Sequence, residues 1–512
     1  MYLEDIYYFW KMTYTFISRY EYEVIHIDHE RREVWLEQTK GTITKIIRLK
    51  QQTFDWSNHL KRDQDDVAEK VKRLSKSLVG RDIRVHLVYI SQFPPVDEWE
   101  QKPIHINNGR KSVRIMTYFV PQHDRERHLG EVYEALYIKD PPFSPESEEE
   151  MESNVPQLRR AVDQAIEQNI KSQQAVLSRG KPIFTYLLIA LNVIMYFVLE
   201  INGGSQDTNT LIKYGAKFNP FILDGEWWRI ASSMFLHIGI FHILLNMLAL
   251  YYLGNAVERM FGSARFLVIY FVSGIVGGLA SFALSQNVAA GASGAIYGLF
   301  GALLFFGLIY KKLFFKTMGS NIIGILLINI VISFTIPQVD IGAHLGGLVG
   351  GFLASSLVHF PKKRNLLTQT ASFIGVLVTG GLLFYAGMQT NETYEPHTEI
   401  VLASYYQQEG SFQDAYEVAD EAIEEHGNKD SILYFIRSYG HIQQDRTDQA
   451  LTDLKRSVEL NDQNDPAWYN LAVLYARQGE RDLAIEAVQK AIDINPEAED
   501  YKDLLNQLEA SG

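Results

Sequence analysis

The chain has 512 residues, no cysteine, and 48 Lys and Arg against 61 Asp and Glu, which gives a formal net charge of −13. This length suggests several domains, since a domain usually has ~100–200 residues. The composition excludes disulfides, Cys-ligated zinc and a cysteine nucleophile, and its acidic balance argues against a nucleic-acid partner.

Residues 1–140 are rich in charge and predict a cytosolic α+β domain. Apolar residues recur at helical spacing over the first 20 residues, which favours an amphipathic helix over a signal peptide. A polar helix is predicted at about 56–78. The alternating pattern predicts strands at 22–27, 32–36, 42–49, 83–90 and 112–119. Residues 141–180 then form an acidic linker, at 141–153, and a polar helix, at 156–178.

Two polar clusters in the N-terminal domain have side chains that hard or borderline divalent cations bind. They are His26, Asp28, His29 and Glu30, and His123, Asp124, Glu126 and His128. Such clusters are more often solvated turns, so a metal at His26, Asp28 and His29 is kept only as an alternative, and no cofactor is predicted. A regulatory role for this domain is a further hypothesis, motivated by its predicted cytosolic place.

The middle of the chain, residues 183–388, is nearly free of charge. It contains about seven apolar runs, at 183–201, 234–254, 266–285, 293–310, 321–336, 341–359 and 370–388. Most of them approach the ~20 residues that a helix needs to cross ~30 Å of hydrocarbon. The pattern therefore predicts a mainly α, polytopic transmembrane bundle in a lipid bilayer.

Basic residues are concentrated in alternate loops of this bundle: before the first run, between the second and third, after the fourth and after the sixth. The positive-inside rule assigns these loops to the cytoplasm. The N-terminal domain is then cytoplasmic, and with seven spans the C-terminal region, 393–512, lies outside the cell membrane. The loss of one span from the count would reverse the second assignment.

The C-terminal region repeats with a period of about 34 residues. In the last repeat, 465–498, the residues that fit a tetratricopeptide repeat (TPR) are Trp468, Leu471, Ala472, Tyr475, Ala484, Ala491 and Pro496. Two less regular copies precede it, and 499–510 predicts a capping helix. Three stacked repeats predict an α-solenoid with a surface for a protein partner. A spacer or dimerisation module is the alternative.

Ionisable and polar groups inside membrane spans are costly, so each requires an explanation. Ser293 begins the fourth run in the sequence GASG, and His344 begins the sixth in AHLGG. His242 and Asn246 lie four residues apart, on one face of the second. The predicted topology starts all three helices on the outer side, so these side chains are expected at a similar depth.

Together these residues fit a serine hydrolase. Ser293 is the predicted nucleophile and His344 the general base, and His242 and Asn246 are predicted donors to the oxyanion beside the Ser293 backbone N–H. No acidic residue is expected at that depth, so the pair is a dyad. The fourth and sixth helices can approach closely because both have small faces, formed by Gly294 and Gly298 and by Ala343, Gly347 and Gly351.

Each residue also has a plain structural explanation. Gly and Ser are common packing residues in membrane helices, and a single His at a helix start is often only a hydrogen-bonding group. A small-solute exporter and a non-catalytic scaffold or adaptor are the rival functions. The combination of these residues, in this order and at one depth, favours catalysis.

Over about residues 180–360 the chain resembles the rhomboid intramembrane serine proteases. The family signature is a GxSG nucleophile on the fourth helix, a His on the sixth and an H-x-x-x-N pair on the second. Further matches are the Trp228–Arg229 pair in the first loop and Glu258–Arg259. The supporting positions of the site are Gly291, Gly294, Tyr297, on which the family's catalytic His packs, and His237.

The resemblance implies a six-helix protease domain at 181–360, to which 361–392 adds a seventh helix and 393–512 the TPR domain. It implies hydrolysis of peptide bonds in transmembrane proteins, near the outer end of an unstable helix or one with small residues. Substrates would enter between the fifth and second helices. No catalytic position departs from the family pattern.

Overall fold

The computed structural model describes residues 3–510, except 76–77, 79, 100–101, 110, 139–146, 337, 362, 364 and 428. Part of the predicted acidic linker, 141–146, thus lies outside the described residues. The chain forms two compact units, Met1–Arg179 with Phe306–Gly324, and Gly180–Phe305 with Ile325–Gly512. The predicted fold class is confirmed: the described chain has an α+β N-terminal region, a set of apolar helices and a C-terminal solenoid.

The N-terminal region is a six-stranded sheet with four helices. The elements are α1 (Leu3–Ser18), β1 (Glu23–Asp28), β2 (Glu33–Lys40), β3 (Ile43–Gln51), α2 (Ser57–Leu74), β4 (Asp82–Ile90), β5 (Ile104–Asn108), β6 (Lys111–Val120), α3 (Arg125–Ala135) and α4 (Glu148–Leu177). The strand order is β1-β2-β3-β4-β6-β5, with β4 parallel to β3 and β6 and the other pairs antiparallel. Helices α1, α3 and α4 cover one face and α2 the other.

One buried ionic group ties α2 to its face of the sheet. Arg48 donates from Nε and Nη2 to Glu33, at 3.0 Å each, and from Nη2 to Asp63 Oδ1, also at 3.0 Å. Burial alone would raise the pKa of the Asp63 carboxyl. The Arg48 hydrogen bonds outweigh it and hold that pKa well below its usual value.

Three local predictions for this region need correction. Strand β5 and helix α3 were not predicted, because β5 is only five residues long and α3 has a weak apolar stripe. Helix α4 begins at Glu148, inside the predicted linker. The Ser147 hydroxyl accepts from the Glu150 backbone N–H, and the Glu150 carboxylate accepts from the Ser147 backbone N–H. This capping box starts the helix early.

The polar cluster near β1 is a turn. Asp28 Oδ1 accepts the backbone N–H groups of Glu30 and Arg31, at 3.0 and 2.9 Å. The His29 ring stacks on Trp10 and lies 3.4 Å from Asp163. Within the described ranges, no three His, Asp or Glu side chains are arranged to hold a metal ion. The metal hypothesis for His26, Asp28 and His29 therefore gains no support and stays a prediction.

The apolar helices lie where the seven runs predict them. They and their connecting turns are α5 (Ile183–Ile201), α6 (Thr208–Lys213), α7 (Asn219–Leu223), α8 (Arg229–Ser232), α9 (Gly239–Ala249), α10 (Asn255–Phe261), α11 (Ser263–Leu284), α12 (Ser293–Ile309), α13 (Lys311–Thr317), α14 (Gly319–Thr335), α15 (Ile341–Val358) and α16 (Leu366–Thr390). A π-helical turn joins α9 to α10 in one stretch, Gly239–Phe261.

Among the described helices, five are long and apolar enough to cross a membrane: α5, the α9–α10 stretch, α11, α15 and α16. Helices α13 and α14 form a pair bent by 75° that would add a sixth. Helix α12 is apolar but only 17 residues long. A short helix of this kind is expected where other helices of the bundle enclose it. The first half of α12 fits this expectation, because every residue from Ala295 to Gly301 is buried.

The C-terminal region is a solenoid of paired helices. Its elements are α17 (Pro396–Gln408), α18 (Phe412–Glu424), α19 (Ser431–Gln443), α20 (Thr447–Leu460), α21 (Asp465–Gln478), α22 (Arg481–Ile494) and α23 (Glu499–Ala510). Each helix pair can approach closely because small residues lie between the helices, and Ala403, Ala419, Ala450, Ala472 and Ala491 are fully buried. The three predicted repeats and the capping helix are thus confirmed as helix pairs and a final single helix.

The first solenoid helix packs against the loop that follows α5. Leu402 on α17 lies in one apolar cluster with Ile212, Phe218 and Phe221 of that loop. Polar contacts lie beside this apolar cluster. Lys213 Nζ lies 2.8 Å from Glu409, and the Glu395 backbone N–H donates to Gln286 Oε1, in the loop after α11, at 2.6 Å. The solenoid and the loops of the apolar bundle therefore share one core.

Candidate active site

The loop before α12 presents Ser293 at the first residue of the helix. Gly291 has a φ of +146°, and a Cβ there would come within 2.8 Å of His242 Cε1. Only glycine fits this position without strain, because both the backbone angle and the space exclude a side chain. As the first residue of α12, Ser293 has a backbone N–H with no partner inside the helix.

His344 lies in the first turn of α15. The Asp340 side chain caps this helix by accepting the Ala343 backbone N–H at 2.8 Å. The imidazole is buried and stacks on the Tyr297 ring, with centroids 4.0 Å apart and planes at 13°. Tyr297 is one helical turn beyond Ser293, so the stack brings His344 over the turn that starts with Ser293.

His344 has a hydrogen-bond partner that the sequence did not suggest. Its Nδ1 lies 2.8 Å from the hydroxyl of Ser333 on α14, whereas none of its described hydrogen bonds goes to Ser293. The Tyr297 hydroxyl is 3.0 Å from the same Ser333 oxygen. A single serine in an apolar run has no local signal, because packing and hydrogen bonding explain most such residues.

The predicted oxyanion donors lie on α9, and His242 is close to the loop that leads to Ser293. His242 approaches Gly291 closely, and its Nδ1 accepts the Ile238 backbone N–H at 3.4 Å. That bond leaves Nε2 as the protonated nitrogen, on the side of Gly291. Asn246, also buried, donates one amide hydrogen to the His242 carbonyl at 3.1 Å and retains a second.

His237 supports the loop that precedes Ser293. Its Nε2 accepts the Ala292 backbone N–H at 3.4 Å, and its ring packs edge-on against His242, with centroids 5.2 Å apart. It is fully buried. His237 therefore fixes both the residue before the nucleophile position and the neighbouring imidazole.

Helices α12 and α15 touch through the small faces that the sequence predicts. A Cβ at Gly347 would lie 2.0 Å from the Gly294 carbonyl oxygen, and one at Gly351 would lie 2.1 Å from that of Gly298. Contacts this short allow only glycine. The close approach of the two backbones is what brings the helix starts with Ser293 and His344 side by side.

A small cavity with several polar side chains in its lining adjoins Ser293. Its volume is about 40 Å³, and its lining includes Asp340, Ser233 and Lys217. That space is enough for water, which needs ~10–15 Å³ per molecule. Lys217 is fully buried and donates to the carbonyls of Ser285 and Asn287, at 2.6 and 2.9 Å. Burial lowers the pKa of this lysine to about 8.

The chain is similar to known proteins over most of its length. The rhomboid domain profile matches residues 224–360, and a tetratricopeptide repeat profile matches 441–508. "Rhomboid protease GluP" of Bacillus subtilis (strain 168) is 36% identical over 511 residues, which cover 98% of each chain. This chain belongs to the rhomboid protease family.

Two further comparisons cover less of the chain. "Rhomboid protease AarA" of Providencia stuartii is 26% identical over 269 residues, 46% of this chain and 94% of that protein. The solved structure titled "Crystal structure of MamA" matches 29% of this chain and 85% of its own, with 21% identity and a TM-score of 0.23. The rhomboid and TPR profiles, with the relative that covers 98% of the chain, show that the protein is an intramembrane serine protease with transmembrane-capable helices and a TPR region, as the sequence predicts.

Membership of the rhomboid family indicates the class of substrate and the location of the protein. Rhomboid proteases act on membrane protein substrates, and TPR domains mediate protein interactions. This rhomboid is a multi-pass membrane protein.

The first-loop Trp228–Arg229 pair has a structural role. Arg229 Nη1 donates to the carbonyls of Ile212 and Ala216, at 2.5 and 3.2 Å, and thereby holds the loop together.

Proposed function

We propose that this rhomboid hydrolyses transmembrane proteins with a Ser293–His344 dyad near the outer face of a bacterial cell membrane. The observation that carries the proposal is the stack of His344 on Tyr297, one turn from Ser293. It holds a base beside the serine at the start of α12.

The reaction follows from these positions. Ser293 Oγ attacks the substrate carbonyl carbon while its proton passes to His344 Nε2. The carbonyl oxygen becomes an oxyanion, which accepts from the Ser293 backbone N–H, His242 Nε2–H and the second amide hydrogen of Asn246. The C–N bond then breaks as His344 gives its proton to the leaving amine, and an acyl ester stays on Ser293. A water molecule, deprotonated by His344, attacks this ester, the bond to Ser293 Oγ breaks, and His344 returns the proton to Oγ as the second product leaves.

The orientation is part of the proposal. The loop that leads to Ser293 contains Gln286, which hydrogen-bonds the chain just before α17. The solenoid therefore meets the same end of the bundle as the nucleophile. Because the positive-inside rule assigns the basic loops and the N-terminal region to the cytoplasm, we place the solenoid and the nucleophile on the outer side of the membrane.

A fluorophosphonate probe tests the dyad. In purified full-length protein we expect one labelled residue, Ser293, identified by mass spectrometry of the peptides. Ser293→Ala should give no label, and His344→Ala should slow labelling by about 10²–10⁴-fold, the usual contribution of a general base. A wild-type protein that takes no label and cleaves no membrane substrate would instead favour the scaffold or exporter.

The solenoid recruits partners or substrates in this proposal. Residues 396–512 contain 24 acidic and 9 basic residues, a net charge of −15. This charge favours a partner segment with basic residues. The contact of α17 with the loop after α5 holds the solenoid beside the active site, so a substrate bound there is presented to Ser293 without a long search.

Leu402→Asp is expected to separate recruitment from chemistry. Leu402 is buried against Phe218 and Phe221, so a carboxylate there costs several kcal/mol and detaches α17. We expect probe labelling of Ser293 to stay at the wild-type rate, while cleavage of a substrate with a basic outer segment falls severalfold. The exposed Leu483→Asp, also in the solenoid, is the control. Equal cleavage by all three proteins would favour a spacer.

A further inference from the structure

Helix α14 is apolar and faces outward along most of its length. Ile325, Ile328, Val331 and Phe334 are all exposed, which suits a helix in contact with lipid. Ser333 breaks this pattern, because it is buried, with 4% of its surface exposed. The Ser333 side chain points into the bundle and contacts His344, the proposed base, and Tyr297, on which His344 stacks.

The hydroxyl of Ser333 has three neighbours within hydrogen-bonding distance. They are the Asn329 carbonyl oxygen at 2.8 Å, His344 Nδ1 at 2.8 Å and the Tyr297 hydroxyl at 3.0 Å. A serine hydroxyl has one hydrogen to donate and two lone pairs to accept with. All three contacts are hydrogen bonds only if Ser333 donates to the Asn329 carbonyl and accepts from the other two.

This assignment fixes the tautomer of the imidazole. If the Ser333 oxygen accepts a hydrogen bond from His344 Nδ1, the imidazole hydrogen is on Nδ1 and the free lone pair is on Nε2. That is the form that a general base for Ser293 requires. The Tyr297 ring fixes the plane of the imidazole, and its hydroxyl fixes the oxygen of Ser333, so the three side chains, from α12, α14 and α15, form one closed set.

We propose that Ser333 is a positioning residue of this protease, which orients His344 through Nδ1 in the place that a carboxylate occupies in a Ser-His-Asp triad. The inference rests on the proposed Ser293–His344 dyad and extends it by a third side chain. Because Ser333 is neutral, it orients the ring and selects the tautomer without adding a charge to the membrane interior. Ser333 does not contact the substrate in this role.

The test is a pair of variants of nearly equal shape, Ser333→Thr and Ser333→Val, in the full-length protein reconstituted in lipid vesicles. Threonine keeps the hydroxyl and valine replaces it with a methyl group. We expect Ser333→Val, and likewise Ser333→Ala, to lower kcat for a transmembrane substrate by about 10–100-fold with KM little changed. The rate of fluorophosphonate labelling of Ser293 should fall in parallel, and Ser333→Thr should restore both.

Ser355→Ala is the control, because Ser355 is a buried serine of α15 whose hydroxyl donates only to the Gly351 carbonyl of its own helix among the described contacts. It should keep wild-type kcat. The proposal is overturned if Ser333→Val labels and turns over within twofold of wild type, or if Ser333→Thr is as impaired as Ser333→Val. Either result leaves the dyad intact, whereas a wild-type protein without label at Ser293 removes the dyad itself.

Discussion

Ser293→Ala is expected to abolish cleavage of transmembrane substrates, with a loss of at least ~10³-fold in kcat. In serine hydrolases, removal of the nucleophile costs up to ~10⁶-fold, and the remaining rate comes from the oxyanion donors and binding alone. The donors here, His242 and Asn246, do not depend on the Ser293 hydroxyl for their own hydrogen bonds. The variant should therefore fold and still bind substrate.

The measurement is single-turnover cleavage of a labelled transmembrane substrate in vesicles, with binding followed separately by fluorescence anisotropy. Ser355→Ala, the buried control serine, should cleave like wild type. We expect Ser293→Ala to bind the substrate with unchanged Kd. If Ser293→Ala retained a tenth of the wild-type rate, another residue would have to be the nucleophile and the dyad would be wrong.

Glu258→Ala should be the most destabilising single substitution in the bundle. Glu258 is fully buried and accepts five hydrogen bonds, four from the start of α5 and one from the start of α11. The donors are the backbone N–H groups of Ile183, Phe184 and Thr185, at 3.0, 3.0 and 2.8 Å, and the hydroxyls of Thr185 and Ser263, both at 2.7 Å. Pro182, at the N-cap of α5, supplies no side-chain cap, so this carboxylate from α10 replaces it.

Alanine would remove the carboxylate acceptor of the Phe184 and Thr185 backbone N–H groups and of the buried Thr185 hydroxyl, whereas the Ile183 N–H keeps the Lys181 carbonyl. Each buried polar group left without a partner costs about 1–3 kcal/mol. We expect the free energy of unfolding to fall by about 3 kcal/mol or more, measured by denaturant titration of the purified protein in detergent. Glu258→Gln keeps one carbonyl oxygen and should lose less. A Glu258→Ala protein within about 0.5 kcal/mol of wild type, the usual range of surface changes, would contradict this role.

The helix positions of the proposed catalytic residues could be predicted from the sequence, and so could the packing of α12 on α15. Ser293, His344, His242 and Asn246 stand at helix starts or at helical spacing, and membrane helices satisfy their own backbone, so their positions follow from the runs. The small faces with Gly294 and Gly347 follow from the same periodicity, since only small residues allow such contact. The contact of Ser333 with His344 could not be predicted, because one serine in an apolar run has no period.

The N-terminal region was predictable in outline, and its errors are local. The capping box at Ser147 and Glu150 starts α4 where the composition suggested a linker. A run of glutamates is typical of a linker, but the same residues stabilise the first turn of a helix, where the dipole favours negative charge. Strand β5 pairs only with β6, and its short length gave no clear alternation.

The sequence by itself determined the class of the protein: long apolar runs, a GASG serine, a distant histidine and a 34-residue repeat are all local patterns with fixed periods. The tertiary structure alone decided which distant groups complete them. Glu258 caps a helix that begins 75 residues earlier, Ser333 reaches His344 from another helix, and Leu402 joins the solenoid to the loop that contains Phe221. Each of these contacts joins single residues that lie far apart in the chain, and a single residue has no periodic pattern from which its partner could be predicted.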